Sequence, residues 1–130
     1  MRRISRRGFM KATAAGAGAV AAGLPFSRVL GANEEIRVGV VGFRGRGRNH
    51  IEEFDKMNGV RVTALCDVDE RVLNGLADKL EEKGGKVARY TDVRDLLDND
   101  EIDVVSTATP NHWHSLITVW ACQAGKDVYV

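Results

Sequence analysis

Residues 33–130 predict an α/β fold with a doubly wound parallel sheet. Three observations carry this. Strand-like and helix-like patterns alternate through the whole segment. The strands read as continuous apolar runs, as expected for strands covered on both faces. A glycine-rich turn joins the first strand to the first helix.

Each element has its own warrant. "IRVGVVG" (36–42) is a buried strand. "GRNHIEEFDKM" (47–57) is a helix with Ile51, Phe54 and Met57 on one face, closed by Gly59. "VRVTALCD" (60–67) is the second strand. "DERVLNGLADKLEEKGG" (69–85) is a helix capped by Asp69, with a stripe of Val72, Leu73, Leu76 and Leu80, closed by Gly84 and Gly85. "KVARY" (86–90) is a short strand and "DVRDLLDN" (92–99) a short helix. "IDVVSTAT" (102–109) is a strand with an apolar centre. "NHWHSLITVWACQAG" (111–125) is a helix that Asn111 can cap and Gly125 closes. "KDVYV" begins a last strand, without a turn or polar tail after it. The sheet is therefore expected to be incomplete at its C-terminal end, as the N-terminal part of a larger domain. No internal repeat follows the leader.

The net charge of +1 over 130 residues hides an asymmetry. Residues 1–32 hold six basic residues and no acidic one, which leaves 13 basic against 18 acidic in the rest. A body with a net of −5 gives no electrostatic reason to expect nucleic-acid binding. The leader has twin arginines at Arg6 and Arg7, then Phe9, Met10 and Lys11, then the mildly apolar "ATAAGAGAVAAGL". Small residues near Gly31 and Ala32 suit cleavage. Residues 1–32 resemble a bacterial twin-arginine signal peptide. The plainer readings are a basic tail or a membrane anchor, but the apolar run is short and rich in Gly and Ala for a span. No cysteine lies near the cleavage region, which argues against a lipoprotein. The resemblance implies passage through the twin-arginine export machinery as a folded protein, to the periplasm or another extracytoplasmic site. Folding then takes place in a reducing compartment. Cys66 and Cys122 are expected to be free thiols in buried, small apolar roles.

Three stretches carry chemistry. "GFRGRG" sets Gly42, Gly45 and Gly47 between a strand and a helix, the context of a dinucleotide-binding fingerprint in a Rossmann-like fold. A helix N-terminus offers free N–H groups to a pyrophosphate. Gly42 makes the turn and Gly47 admits close helix packing. The usual middle glycine is Arg44, with Gly45 one residue late, and Arg44 or Arg46 is expected to set a guanidinium beside the pyrophosphate. Asp67 ends the second strand, where a carboxylate binds ribose hydroxyls and disfavours a 2′-phosphate. NAD is thus favoured over NADP, and Arg71 weakens that preference. Because Asp69 suits the cap, Asp67 is left for the ribose. "STATPNHWH" (106–114) lies at a strand's carboxyl end, where such sheets bind ligands. His112 and His114 face different sides of a helix and no Cys or carboxylate set completes a cage, so no metal site is expected.

In this order "VGVVGFRGRGRNH", "ALCDVDE", "STATPNHWH" and "AGKDVYV" resemble the Gfo/Idh/MocA family, the glucose–fructose oxidoreductase and inositol dehydrogenase group. The resemblance covers residues 36–130. It implies a Rossmann domain for NAD or NADP, followed by a substrate domain for sugar-like molecules that is absent from this chain. It implies pyrophosphate contacts from Gly42, Phe43, Arg44, Gly45, Arg46 and Gly47, and ribose contact from Asp67. It further implies contacts to the nicotinamide half from Thr109, Pro110, Asn111 and His114. The family's Glu-Lys-Pro motif, with its catalytic lysine, follows the strand that "DVYV" starts, so no catalytic residue is assigned here. A homo-oligomer formed through the missing domain is compatible with this. The expected function is the cofactor domain of an exported oxidoreductase acting on a sugar or polyol, in a redox-neutral cycle where free NAD is scarce. NAD-dependent glycoside cleavage within the same family, a non-catalytic nucleotide-binding fragment and, less well, a methyltransferase are the competing readings.

Overall fold

The computed structural model of the chain describes residues 35–130. The leader and its proposed address lie outside the described residues. Five strands and four helices alternate: β1 (Ile36–Val41), α1 (Arg46–Asp55), β2 (Val60–Cys66), α2 (Glu70–Glu82), β3 (Ala88–Tyr90), α3 (Val93–Leu97), β4 (Val104–Thr107), α4 (Asn111–Gln123) and β5 (Asp127–Tyr129). All strand pairs are parallel and the sheet order is β3-β2-β1-β4-β5. The chain therefore starts in the centre, winds out to β3, and returns beside β1 at β4. The strand order reverses between β1 and β4, and such reversals open a crevice at the carboxyl ends of the strands.

Two apolar layers sandwich the sheet. On one face Ile51 of α1 and Leu73 and Ala77 of α2 pack with Val38, Val40 and Leu65. On the other, Leu96 and Leu97 of α3 and Ile117 and Ala121 of α4 pack with Val41, Ala64, Cys66 and Val105. The alternation of Val40 and Val41 between the two clusters is the period-2 side-chain rule of a strand buried on both sides. A register shift between Val38 and Gly39 marks a bulge against β2. Arg37 and Asp103 tie β1 to the start of β4 through Nη2 to Oδ1 at 2.8 Å and Nε to Oδ2 at 3.0 Å.

Several details differ from the sequence-based expectation. α1 ends at Asp55, and Met57 lies beyond it, half exposed. Pro110, not Asn111, occupies the cap position of α4, and no side chain caps that end. The proline's extended backbone already turns the chain into the helix, which leaves Asn111 inside the first turn. Cys66 is buried as expected, but Cys122 is exposed, because Ile117 and Ala121 form the inward face of α4. No helix among the described residues is long and apolar enough to cross a membrane.

Candidate dinucleotide site

The crevice is built from the ends of β1, β2 and β4. β1 runs buried into Gly42, whose N–H donates to the Cys66 carbonyl at 2.9 Å. Gly42 sits at φ 74°, in the left-handed region that glycine adopts without strain. A Cβ there would also lie 2.8 Å from Thr109 Cγ2. Gly47 is the close-packing glycine: its Cβ would lie 2.1 Å from the Gly42 carbonyl oxygen. The start of α1 is thus pressed onto the turn that precedes it.

Among the described residues no side chain caps the start of α1. Gly45 is its cap residue and supplies no side-chain hydrogen bond, and the first turn carries no acidic residue. It carries Arg46 and Arg48 instead, cations at the end of a helix that favours anions. Helix-start N–H groups without a side-chain cap, with positive charge beside them, suit a phosphate. A Cβ on Gly45 would meet no protein atom within 4 Å, so the glycine leaves room on the side a ligand would approach.

The second wall follows β2. Asp67 is half-buried, and one carboxylate oxygen accepts the Asp69 N–H at 3.0 Å, so Asp67 is not as free as the sequence suggested. That bond lies within the turn after β2, and among the described residues Asp67 Oδ2 is left for a ligand. Asp69 caps α2, accepting the Arg71 N–H at 3.0 Å, and forms an ion pair with Arg44. Burial works against the Asp69 charge, but the Arg71 amide and the nearby Arg71 and Arg44 guanidiniums hold its carboxyl below the usual range. Arg44 is therefore drawn to the ribose end of the crevice, away from the pyrophosphate position expected for it. An opposite charge stands there and none stands in the glycine loop.

The third wall follows β4. Thr107 Oγ1 and Thr109 Oγ1 share a hydrogen bond of 3.0 Å, and His114 Nε2 donates to the Thr109 carbonyl at 2.6 Å. His114 thereby braces the Thr109–Pro110 corner rather than facing the crevice. Together the walls enclose a cleft of about 850 Å³, of the size that small-molecule and cofactor sites have. Gly42, Phe43, Arg44, Gly45, Asp67, Thr109 and Pro110 line it. Phe43 is fully buried, with its side chain in the apolar layer of Val40 and Leu65. Arg46, Gly47, Asn111 and His114 are not part of the lining. The sequence did not point to Val68, Arg94, Trp113 or Trp120, of which Val68 and the two tryptophans complete an apolar side of the cleft. Trp113 and Trp120 are seven residues apart on α4, a spacing that places them on one helix face and was available in the sequence. Among the described residues no group of three or more His, Cys, Asp or Glu is placed to hold a metal ion.

A parallel sheet, a glycine turn at its switch point, an uncapped basic helix start and a carboxylate after β2 are the parts that hold a dinucleotide. Residues 36–130 match the oxidoreductase family with an NAD-binding Rossmann fold. The chain belongs to the Gfo/Idh/MocA family. Its described part is the NAD-binding Rossmann domain of that family. Along its whole length it is 33% identical to an alpha-N-acetylgalactosaminidase of Shewanella oneidensis, of which it covers 34%. It is 25% identical to the scyllo-inositol dehydrogenase of Lactobacillus casei, solved with NAD(H) and scyllo-inositol, at a TM-score of 0.66. That match covers 73% of this chain and 27% of the dehydrogenase. A biliverdin reductase of Synechocystis, solved with biliverdin and NADP+, is 29% identical at a TM-score of 0.64, over 72% of this chain and 28% of the reductase. The chain spans about a third of the length of the curated relatives it matches. The structural neighbours thus include both NAD(H)-bound and NADP-bound structures.

Proposed function

We propose that this chain is the cofactor-holding part of an exported enzyme that transfers hydride between a nicotinamide ring and a carbon of a sugar or polyol. The observation that carries the reading is the cleft itself, with Gly42 and Gly47 at the helix start and Asp67 at the ribose end. Bound NAD would supply the hydride acceptor. The chain's own residues would hold it: the first-turn amides of α1 on the pyrophosphate, Asp67 on the adenosine ribose, and the Thr109–Pro110 corner toward the nicotinamide half. His114 would keep that corner in place through the Thr109 carbonyl.

A second reading has a specific observation behind it. Curated relatives along the whole chain are named glycosyl hydrolase family 109 proteins and alpha-N-acetylgalactosaminidase. A hydride withdrawn from the sugar and later returned would make glycoside cleavage redox-neutral. That suits an enzyme whose leader, with Arg6 and Arg7, addresses it to a compartment poor in free NAD. Supplying the full-length protein with inositols, free sugars and aryl N-acetylgalactosaminides separates the two readings. Net NADH formation with a free sugar or polyol supports the dehydrogenase. Release of the aryl alcohol that needs NAD but accumulates no NADH supports the hydrolase. A protein that binds no NAD contradicts both.

A further inference from the structure

Arg44 leaves the glycine loop at the end of β1, while Asp67 and Asp69 leave the end of β2, and the Arg44–Asp69 ion pair bridges the two. The arginine side chain is 65% exposed and the aspartate 19%. Arg44 lines the dinucleotide cleft and also a groove of about 740 Å³ between α1 and α2, whose rim carries Arg48 and Arg71. Its guanidinium, paired with Asp69 of the groove lining, stands beside the turn that holds Asp67 of the cleft lining. A phosphate on the ribose 2′-oxygen would project from the ribose end of the cleft, where an arginine serves NADP-binding sites. A guanidinium matches phosphate geometry with paired N–H donors. Here that guanidinium is spent on Asp69.

We propose that Asp69 sets coenzyme choice, by holding Arg44 in an ion pair that withholds it from a 2′-phosphate. The inference rests on the reading that the cleft takes a nicotinamide dinucleotide. Asp67 disfavours the phosphate by its own charge, and Asp69 removes the cation that would offset it. The two carboxylates act as one device because the Asp69 amide is bonded to Asp67 and the other Asp69 oxygen is fixed on the Arg71 amide. Removing the Asp69 charge while keeping its capping ability leaves α2 intact and frees Arg44.

The test is calorimetric binding of NAD and NADP to the full-length protein and to its Asp69→Asn, Arg44→Ala and doubly substituted variants. Asparagine caps helices as well as aspartate does. Asp69→Ser, another capping residue, repeats the test if the first variant fails to fold. Asp69→Asn should raise NADP affinity about tenfold, equivalent to about 1.4 kcal/mol, and adding Arg44→Ala should abolish the gain. NADP affinity that stays at the parent's level in Asp69→Asn overturns the proposal, as does a gain that survives Arg44→Ala. A parent that binds neither coenzyme is a different failure: it removes the cofactor assignment, and this proposal with it.

Discussion

Gly47 and Gly42 touch backbone to backbone: a Cβ on Gly47 would lie 2.1 Å from the Gly42 carbonyl oxygen. Neither partner is a side chain that can swing away. Gly47→Ala should therefore push α1 off the turn and cost about 1–3 kcal/mol of stability, the usual range for overpacking. A denaturant titration of the full-length protein measures it. A midpoint equal to the parent's would show that the helix start can move without cost.

The two cysteines should behave oppositely toward an alkylating reagent. Burial, with Asp67, Asp92 and Asp95 adding to it, pushes the Cys66 thiol from 9.0 up to about 12. Cys122 is exposed. At pH 8 the folded protein should be labelled at Cys122 and spared at Cys66 until it is unfolded. The same shift predicts a pH effect on stability. The unfolded thiol loses its proton near pH 9 and the folded one near 12, so this contribution is present below pH 9 and is lost as pH rises toward 12. Mass-spectrometric mapping of the labelled residue is the check.

His50 links the cradle helix to β4 and β5. Its Nδ1 lies 2.9 Å from Ser106 Oγ, and its ring centroid lies 5.1 Å from that of Tyr129. Burial first, and Arg46 second, lower its pKa below the ordinary 6.5. The unfolded chain then takes up a proton on acidification before the folded one does. Stability from this group is present above about pH 6.5 and is lost as pH falls through the lowered folded value. His50→Gln should flatten the pH dependence of the thermal midpoint on the acid side of 6.5. An unchanged slope would contradict it.

The element order and the layering were legible because apolar runs and helical stripes are local patterns. Asp69 as a cap was legible too, since it stands directly before the stripe of α2 and accepts the Arg71 amide. The ends were less so. β3 and β4 are shorter than expected, and β4 stops at Thr107 where its neighbour β1 stops at Val41. In the site, Gly42, Gly47 and Asp67 announced themselves through their position after strands. The Arg44–Asp69 pair did not, because it joins residues 25 positions apart through a contact that exists only once β1 and β2 lie side by side. His114 as a brace was hidden for a different reason: it is only five residues from Thr109, and that spacing places it near a ligand as readily as on the Thr109 carbonyl.

The leader offers a test independent of the fold. Residues 1–35 fused to a reporter that functions only after folded export should deliver it, and Arg6→Lys with Arg7→Lys should abolish delivery. Undiminished export by the double variant would remove the twin-arginine address.

The most direct test of the central claim is NAD binding to the full-length protein, followed by calorimetry, in the parent and in Gly42→Ala and Asp67→Ala. Alanine at 42 must adopt φ 74° and meet Thr109 Cγ2 at 2.8 Å, a strain of about 1–2 kcal/mol from the backbone alone. Alanine at 67 removes the carboxylate offered to the ribose. The account predicts that the parent binds NAD and that each substitution weakens it about tenfold or more. Equal NAD affinity in all three proteins would contradict it.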